Sequence, residues 1–240
     1  MINSDLNIKN LSDQFKVDKR VRIPDFLTSE VADRIREACL NHVPFETHFV
    51  IDDKYQSKSQ QELAKLSPQE AKNINNIVFN AASKGIGFLY EGYLHTRIKL
   101  DIPITEELTF LHQMFDFIKS ETVLDVIKQI TEDSSLSGAE PQYTRFKPGH
   151  FLTRHLDIVP EQARKYAFVL SLSKSWHPDW GGLLQFYSKG GTPRDAWTPQ
   201  FNTLSLFDVS HIHSVTYVTP FAAEQRISLT GWFTSENKHL

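Results

Sequence analysis

One cysteine, Cys39, is all that the 240 residues contain, so an internal disulfide is excluded and a reducing compartment suits the chain. Long apolar runs are missing as well. None approaches the roughly 18 residues of a membrane-spanning helix, and the opening MINSDLNIKNLSDQF has no apolar leader segment. Nor is there an excess of positive charge. The 26 Lys+Arg stand against 29 Asp+Glu for a net −3, which argues against a face built to neutralise nucleic-acid phosphates. No internal repeat and no low-complexity linker marks a boundary. The expectation is one cytoplasmic domain over 1–240 that binds neither membrane nor nucleic acid, its oligomeric state left open. What is plentiful is aromatic: 17 Phe, 7 Tyr and 4 Trp, a composition that favours β-structure and enclosed pockets.

The two parts of the chain carry different periods. Over 1–138 the apolar spacing is mostly helical. Thr28 caps a helix with Val31, Ile35, Ala38 and Cys39 on one face. Ser67-Pro68 starts a second, carried by Ala71, Ile74, Ile77, Val78 and Ala81 to Gly85. Thr105 opens a third with Leu108, Leu111, Met114, Phe115 and Ile118 buried, and a fourth runs through Val123, Leu124, Ile127 and Ile130. One strand, 87–93, lies among them. The polar stretch from Asp52-Asp53-Lys54 through Ser67 reads as a loop over a site or as solvated surface. From Pro141 the period becomes two, with strands expected at 142–146, 151–157, 166–172, 183–187, 202–207, 214–218 and 226–233. Short antiparallel strands punctuated by Pro148-Gly149, Gly181-Gly182 and Gly190-Gly191 predict a mixed α and β fold, a jelly roll with helices covering one sheet.

Three groups of residues carry chemistry. His155 and Asp157 stand two apart in an expected strand and so share a face, weak evidence alone. A second histidine follows in Asp208-Val209-Ser210-His211-Ile212-His213, where either His211 or His213 completes two imidazoles and one carboxylate. That set on one face of a metal leaves three positions open and marks non-haem Fe(II) oxygenases. In the last strand Arg226, Ser228, Thr230 and Trp232 form one face and Ile227, Leu229, Gly231 and Phe233 the other. An inward guanidinium requires an anion, either an internal carboxylate or a ligand's. Trp176 and Trp180 read as packing residues, and Gly181-Gly182 as a place where two backbones come close.

In order along the chain, Phe151–Asp157, Leu172–Trp176, Trp180–Phe186, Asn202–Phe207, His213–Val215 and Arg226–Trp232 resemble the catalytic half of the prolyl-4-hydroxylase-like group of 2-oxoglutarate/Fe(II) dioxygenases. The likeness covers about 139–235 and is looser before it. It implies a double-stranded β-helix, the jelly-roll core, with the helices of 1–138 packed on its major sheet. It implies Fe(II) held by His155, Asp157 and His213, the last preferred to His211 because the family's distal ligand is followed two residues later by Val, as in His213-Ser214-Val215. It implies Arg226 on the distal carboxylate of 2-oxoglutarate as co-substrate, and ascorbate as a reductant. Where many relatives place a tyrosine on that carboxylate this chain has Phe146. Ser228, Tyr143 and Ser171 are the candidates to replace its hydroxyl, Ser228 first. The activity implied is hydroxylation of an unactivated carbon, with 2-oxoglutarate and O2 converted to succinate and CO2. A prolyl residue of a protein or peptide leads, while a free amino acid or another small molecule is compatible. The alternative is a jelly-roll, cupin-like module that binds a metal or small ligand without turnover.

Overall fold

In a computed structural model that describes residues 1–51, 54–94 and 104–235, period-two sequence becomes strand and period-3.6 sequence becomes helix, with a longer list of elements than the pattern alone reveals. The helices are α1 (Ile8–Asp18), α2 (Ser29–Asn41), α3 (Gln60–Ala64), α4 (Pro68–Ser83), α5 (Glu106–Lys119) and α6 (Glu121–Thr131). The strands are β1 (Arg20–Ile23), β2 (Glu46–Ile51), β3 (Lys54–Ser59), β4 (Phe88–Leu94), β5 (Leu136–Phe146), β6 (Phe151–His155), β7 (Arg164–Ser171), β8 (Leu184–Tyr187), β9 (Pro193–Trp197), β10 (Thr203–Asp208), β11 (His213–Val215) and β12 (Arg226–Ser235). Every named pairing is antiparallel, in the order β1-β10-β7-β12-β5-β4-β6-β11-β8-β9, with the β2–β3 hairpin joined to β4. This is the expected mixed fold with a jelly-roll core.

The expected helix starts are present, two of the three with their capping bonds, while Thr28 stands at the N-cap of α2 without a side-chain cap bond. Ser67 and Glu70 form a reciprocal capping box ahead of Pro68, and Thr105 Oγ1 accepts from the Leu108 amide at 3.2 Å. The main core lies between the outer face of the major sheet and the helices. Ile35 and Cys39 of α2, Leu111 and Phe115 of α5 and Ile127 of α6 meet Tyr143, Phe168, Leu170, Leu229 and Phe233, all buried. Helix α4 covers a different part of the sheet through Val78, against Phe49 and Phe151. Because it lies over so small a patch, Ile77, expected on its buried stripe, is exposed.

Asp52 and Asp53 lie outside the described residues. The rest of that polar stretch is β3 and α3, not loop, because β3 borrows its partner bonds from β2 and the turn after it is closed by a Ser59–Glu62 capping box. The strand expected over 214–218 shortens to β11, since Thr216 and Val218 turn their amides to Leu183 and His150. Gly181, with φ +70°, has no room for a Cβ: that atom would collide with the backbone oxygen of Tyr217, the close backbone approach expected there.

A polar cluster with a buried carboxylate and a buried imidazole lies beside α4. Glu91 is ion-paired to Arg145 and Lys147, and His150 beside them is 8% exposed with Nδ1 lacking a partner. Burial holds the His150 pKa down at about 4 against the pull of Glu91. An imidazole that folds neutral takes up a proton on unfolding below about pH 6.5, so stability falls as pH drops from there toward 4. The full window is about 3 kcal/mol, from roughly 1.4 kcal/mol per pKa unit. Chemical denaturation at pH 7 and pH 5 with chelator present should show a smaller pH-dependent loss in His150→Gln than in wild type. Equal losses would mean that His150 folds charged.

Candidate active site

The register of two strands brings the histidines together. His155 at the end of β6 is the direct cross-strand partner of His213 at the start of β11, and their rings lie 4.2 Å apart between centroids. Asp157 follows just past the end of β6 rather than within the strand, and its carboxylate faces both rings. Its Oδ1 is 3.4 Å from His155 Nε2, and its Oδ2 is 3.4 Å from His213 Nε2. Each imidazole donates its Nδ1–H to a backbone carbonyl two residues back, Thr153 and His211, both at 2.9 Å. That fixes the orientation of both rings, with each Nε2 turned toward the carboxylate. One ligand atom from each of the three lies within 4.8 Å of the others.

Burial would raise the Asp157 pKa, but the hydrogen bond to His155 and the charge of both imidazoles hold it near 2, so the carboxylate stays ionised. His213 is pushed down to about 4, by burial first and by the neighbouring His155 second. His155, also penalised by burial, is raised on balance by Asp157. A carboxylate oxygen and two imidazole Nε2 atoms converging on one point are the donor set for a divalent transition metal, which would take the place of the His155 proton, and the residues fit Fe(II). His211 is not in this cluster; its Nε2 donates to the Asp18 carbonyl at 2.7 Å.

The triad opens on a cavity of about 230 Å³ inside the roll, walled mainly by apolar groups such as Phe88, Leu152, Val169, Leu184 and Phe207. Arg226 lines the same cavity. It is 3% exposed, its guanidinium lies 5.1 Å over the Phe146 ring, and Nε has no hydrogen-bond partner. Among the described residues no carboxylate pairs with it. Burial alone lowers its pKa to about 10, which leaves it charged at neutral pH. The internal salt bridge that sequence allowed is therefore not made among the described residues. A buried charge with no protein partner is a site for an anionic ligand.

The hydroxyl candidates divide. Tyr143 is excluded: alternation along β5 turns it to the helical face, where it is fully buried and donates to the Leu111 carbonyl at 3.1 Å. Ser228 and Ser171 pair across β12 and β7 on the cavity-facing side, both buried and with unpartnered Oγ atoms, but neither lines the cavity. Two residues that the sequence reading passed over do line it, Thr144 on β5 and Tyr90 on β4. The Tyr90 ring is stacked on Phe146 with centroids 5.4 Å apart. The alternation Phe88-Leu89-Tyr90 in the expected strand was the available signal for Tyr90. Trp176 packs with Val215 and Val218 as expected, whereas Trp232 lines the cavity.

Residues 141–234 match the family model of the 2OG-Fe(II) oxygenase superfamily. No curated protein matches the chain in sequence. Among solved structures it is similar to a prolyl-4-hydroxylase of Pseudomonas putida, with 20% identity, a TM-score of 0.58, and 96% of this chain and 100% of that one covered. It is similar to a Trichoplax adhaerens prolyl hydroxylase in complex with a hypoxia inducible factor oxygen degradation domain peptide fragment (16% identity, TM-score 0.60, 95% and 89% covered). A 2OG-Fe(II) oxygenase family oxidoreductase of Burkholderia pseudomallei is similar at 14% identity and TM-score 0.61, with 99% and 94% covered. At these identities the structural likeness speaks for the fold, and the family match over the strands that carry the triad speaks for the chemistry. Residues 141–234 thus match the 2OG-Fe(II) oxygenases in sequence, the whole chain shares the fold of solved members, and the triad it holds fits Fe(II).

Proposed function

We propose that the chain hydroxylates an unactivated carbon of a prolyl residue in a peptide, converting 2-oxoglutarate and O2 to succinate and CO2 as one oxygen atom enters the new hydroxyl. The observation that carries the reading is that a buried, unpaired Arg226 and the His155/Asp157/His213 triad share one small apolar cavity. His155, Asp157 and His213 would hold Fe(II), which when bound supplies the dioxygen and C–H chemistry that no side chain can perform. Asp157 brings one negative charge, so the metal site keeps net positive charge for an anionic co-substrate. Arg226 grips the co-substrate's distal carboxylate, and its fork geometry sets the direction in which the molecule lies. Thr144, Tyr90 and Thr230 are the hydroxyl-bearing residues that line the same cavity. The apolar walls exclude bulk water and strengthen each of these contacts.

Support for a peptide comes from a second hollow of about 440 Å³, which shares Tyr90, Gln142 and Trp232 with the first and widens past Arg164 and Glu140. The Arg164 guanidinium carbon sits over the Trp232 ring, 3.4 Å from its centre, which leaves a wall of aromatic and cationic surface beside the triad's cavity. The peptide held by the Trichoplax relative and the activity named for the Pseudomonas relative point the same way.

The test is succinate release from Fe(II), 2-oxoglutarate and a panel of proline-containing peptides, free proline and other amino acids. Succinate coupled to a +16 mass shift on a peptidyl proline is the expected result. Coupling only to a free amino acid would overturn the peptide assignment. No succinate with any substrate, despite metal binding, would return the molecule to a binding module.

A further inference from the structure

His211 was the rival candidate for the distal ligand, and the structure gives it another place. We propose that it is a positioning residue for His213, acting through its own carbonyl and an anchor on the end of α1. This rests on His213 binding the metal. The Nδ1–H of His213 donates to the His211 carbonyl at 2.9 Å, so the direction of that carbonyl sets the direction of Nε2. The corresponding acceptor for His155 is Thr153, whose carbonyl is held within β6. The His211 carbonyl lies outside any strand, in the turn between β10 and β11, where the His211 amide donates to the Asp208 carbonyl at 3.0 Å and the Ile212 carbonyl accepts from the Tyr187 amide at 2.9 Å.

That turn is also tied at both ends to the carboxy-terminal end of α1, through the carbonyls of Asp18 and of its cap residue Lys19. The Asp208 amide donates to Lys19 at 2.9 Å, and His211 Nε2–H donates to Asp18 at 2.7 Å. These carbonyls lie beyond the helix's own bonding pattern and at the negative end of its dipole, where a donor is favoured. Asp18 is itself fixed, its carboxylate taken by Arg20 at 2.6 Å and Arg194 at 2.5 Å. Phe186 packs edge-on against the His211 ring with centroids 5.9 Å apart. The amino-terminal helix thereby reaches the metal centre through two hydrogen bonds in series, Asp18 to His211 and His211 to His213.

The experiment is a Co(II) titration of the full chain, read by visible absorption without 2-oxoglutarate, with thermal unfolding of each metal-free variant alongside. His211→Ala and His211→Phe should each weaken Co(II) binding about tenfold, the scale of loss when a metal ligand's orienting partner is removed. His211→Phe keeps a ring against Phe186 and so separates the hydrogen bond from packing. His211→Gln carries an amide N–H able to reach the same carbonyl and should recover most of the affinity. If His211→Phe binds as wild type, or His211→Gln is as weak as alanine, the positioning role is overturned. Should His211→Ala not fold, the Phe and Gln variants decide. His213→Ala is the control: Co(II) affinity retained there would overturn the metal-ligand reading itself. Loss there, with wild-type affinity in His211→Phe, would overturn only the role of His211.

Discussion

Alanine at His155, at Asp157 or at His213 should each abolish detectable turnover, a fall of at least ~10³-fold, equivalent to about 4 kcal/mol of lost transition-state stabilisation. Each supplies one of three donors to a single point, so none can compensate for another. The fold should survive, because Asp157 lies beyond the end of its strand and the two histidines sit at strand ends rather than in the helix-packed core. Far-UV circular dichroism and Co(II) titration on the same samples separate loss of metal from loss of structure. Turnover within tenfold of wild type in any one variant would remove that residue from the ligand set.

Arg226→Ala should raise the Michaelis constant for 2-oxoglutarate by between about one and a half and more than three orders of magnitude. The range follows from about 2–5 kcal/mol for truncating one partner of a buried charge pair, at ~1.4 kcal/mol per decade. Arg226→Lys should restore part of the loss, since a point charge cannot make the two-pronged contact. The folded protein should not suffer. Among the described residues Arg226 leaves no carboxylate behind when removed, and it carries an uncompensated desolvation burden while present. An arginine serving an internal ion pair would behave in the opposite way. Calorimetric titration of 2-oxoglutarate into anaerobic Fe(II) protein checks the first expectation and denaturant unfolding the second. Equal co-substrate affinity in wild type and Arg226→Ala would sink the assignment of the co-substrate to this pocket.

Legibility in the sequence followed the strength of local signals. Helices α2, α4, α5 and α6 were readable from their apolar stripes, and at α4 and α5 the caps Ser67 and Thr105 agree with the stripe. Helix α1 was not, since Leu11 and Phe15 with little else make too narrow a stripe. Strands β1, β2, β3 and β9 were missed because their pattern is polar or mixed: β1 exists by pairing far along the chain, Arg20 with Phe207, β2 by joining β4, and β3 and β9 by closing hairpins on β2 and β8. The triad and Arg226 were legible from spacing and from the resemblance. The choice between His211 and His213 is physically a matter of register, which pairs His213 with His155. Tyr143 failed as a candidate for a simple reason of parity: on β5 it alternates with Gln142 and Thr144, which face the cavity. The emptiness around Arg226 is a property of the whole fold, and no local pattern could announce it.

The donors of the triad sit on β6 and β11, while Arg226 sits on β12, three steps away in the strand order with β5 and β4 between. A short dicarboxylate fastened to both is therefore a crossbar inside the roll. Either attachment alone leaves the two walls free to breathe, and only the pair resists their separation. Metal and 2-oxoglutarate together should then slow amide exchange in β4 and β5, which touch neither the metal nor the guanidinium through their own backbones, by more than the sum of what each does singly.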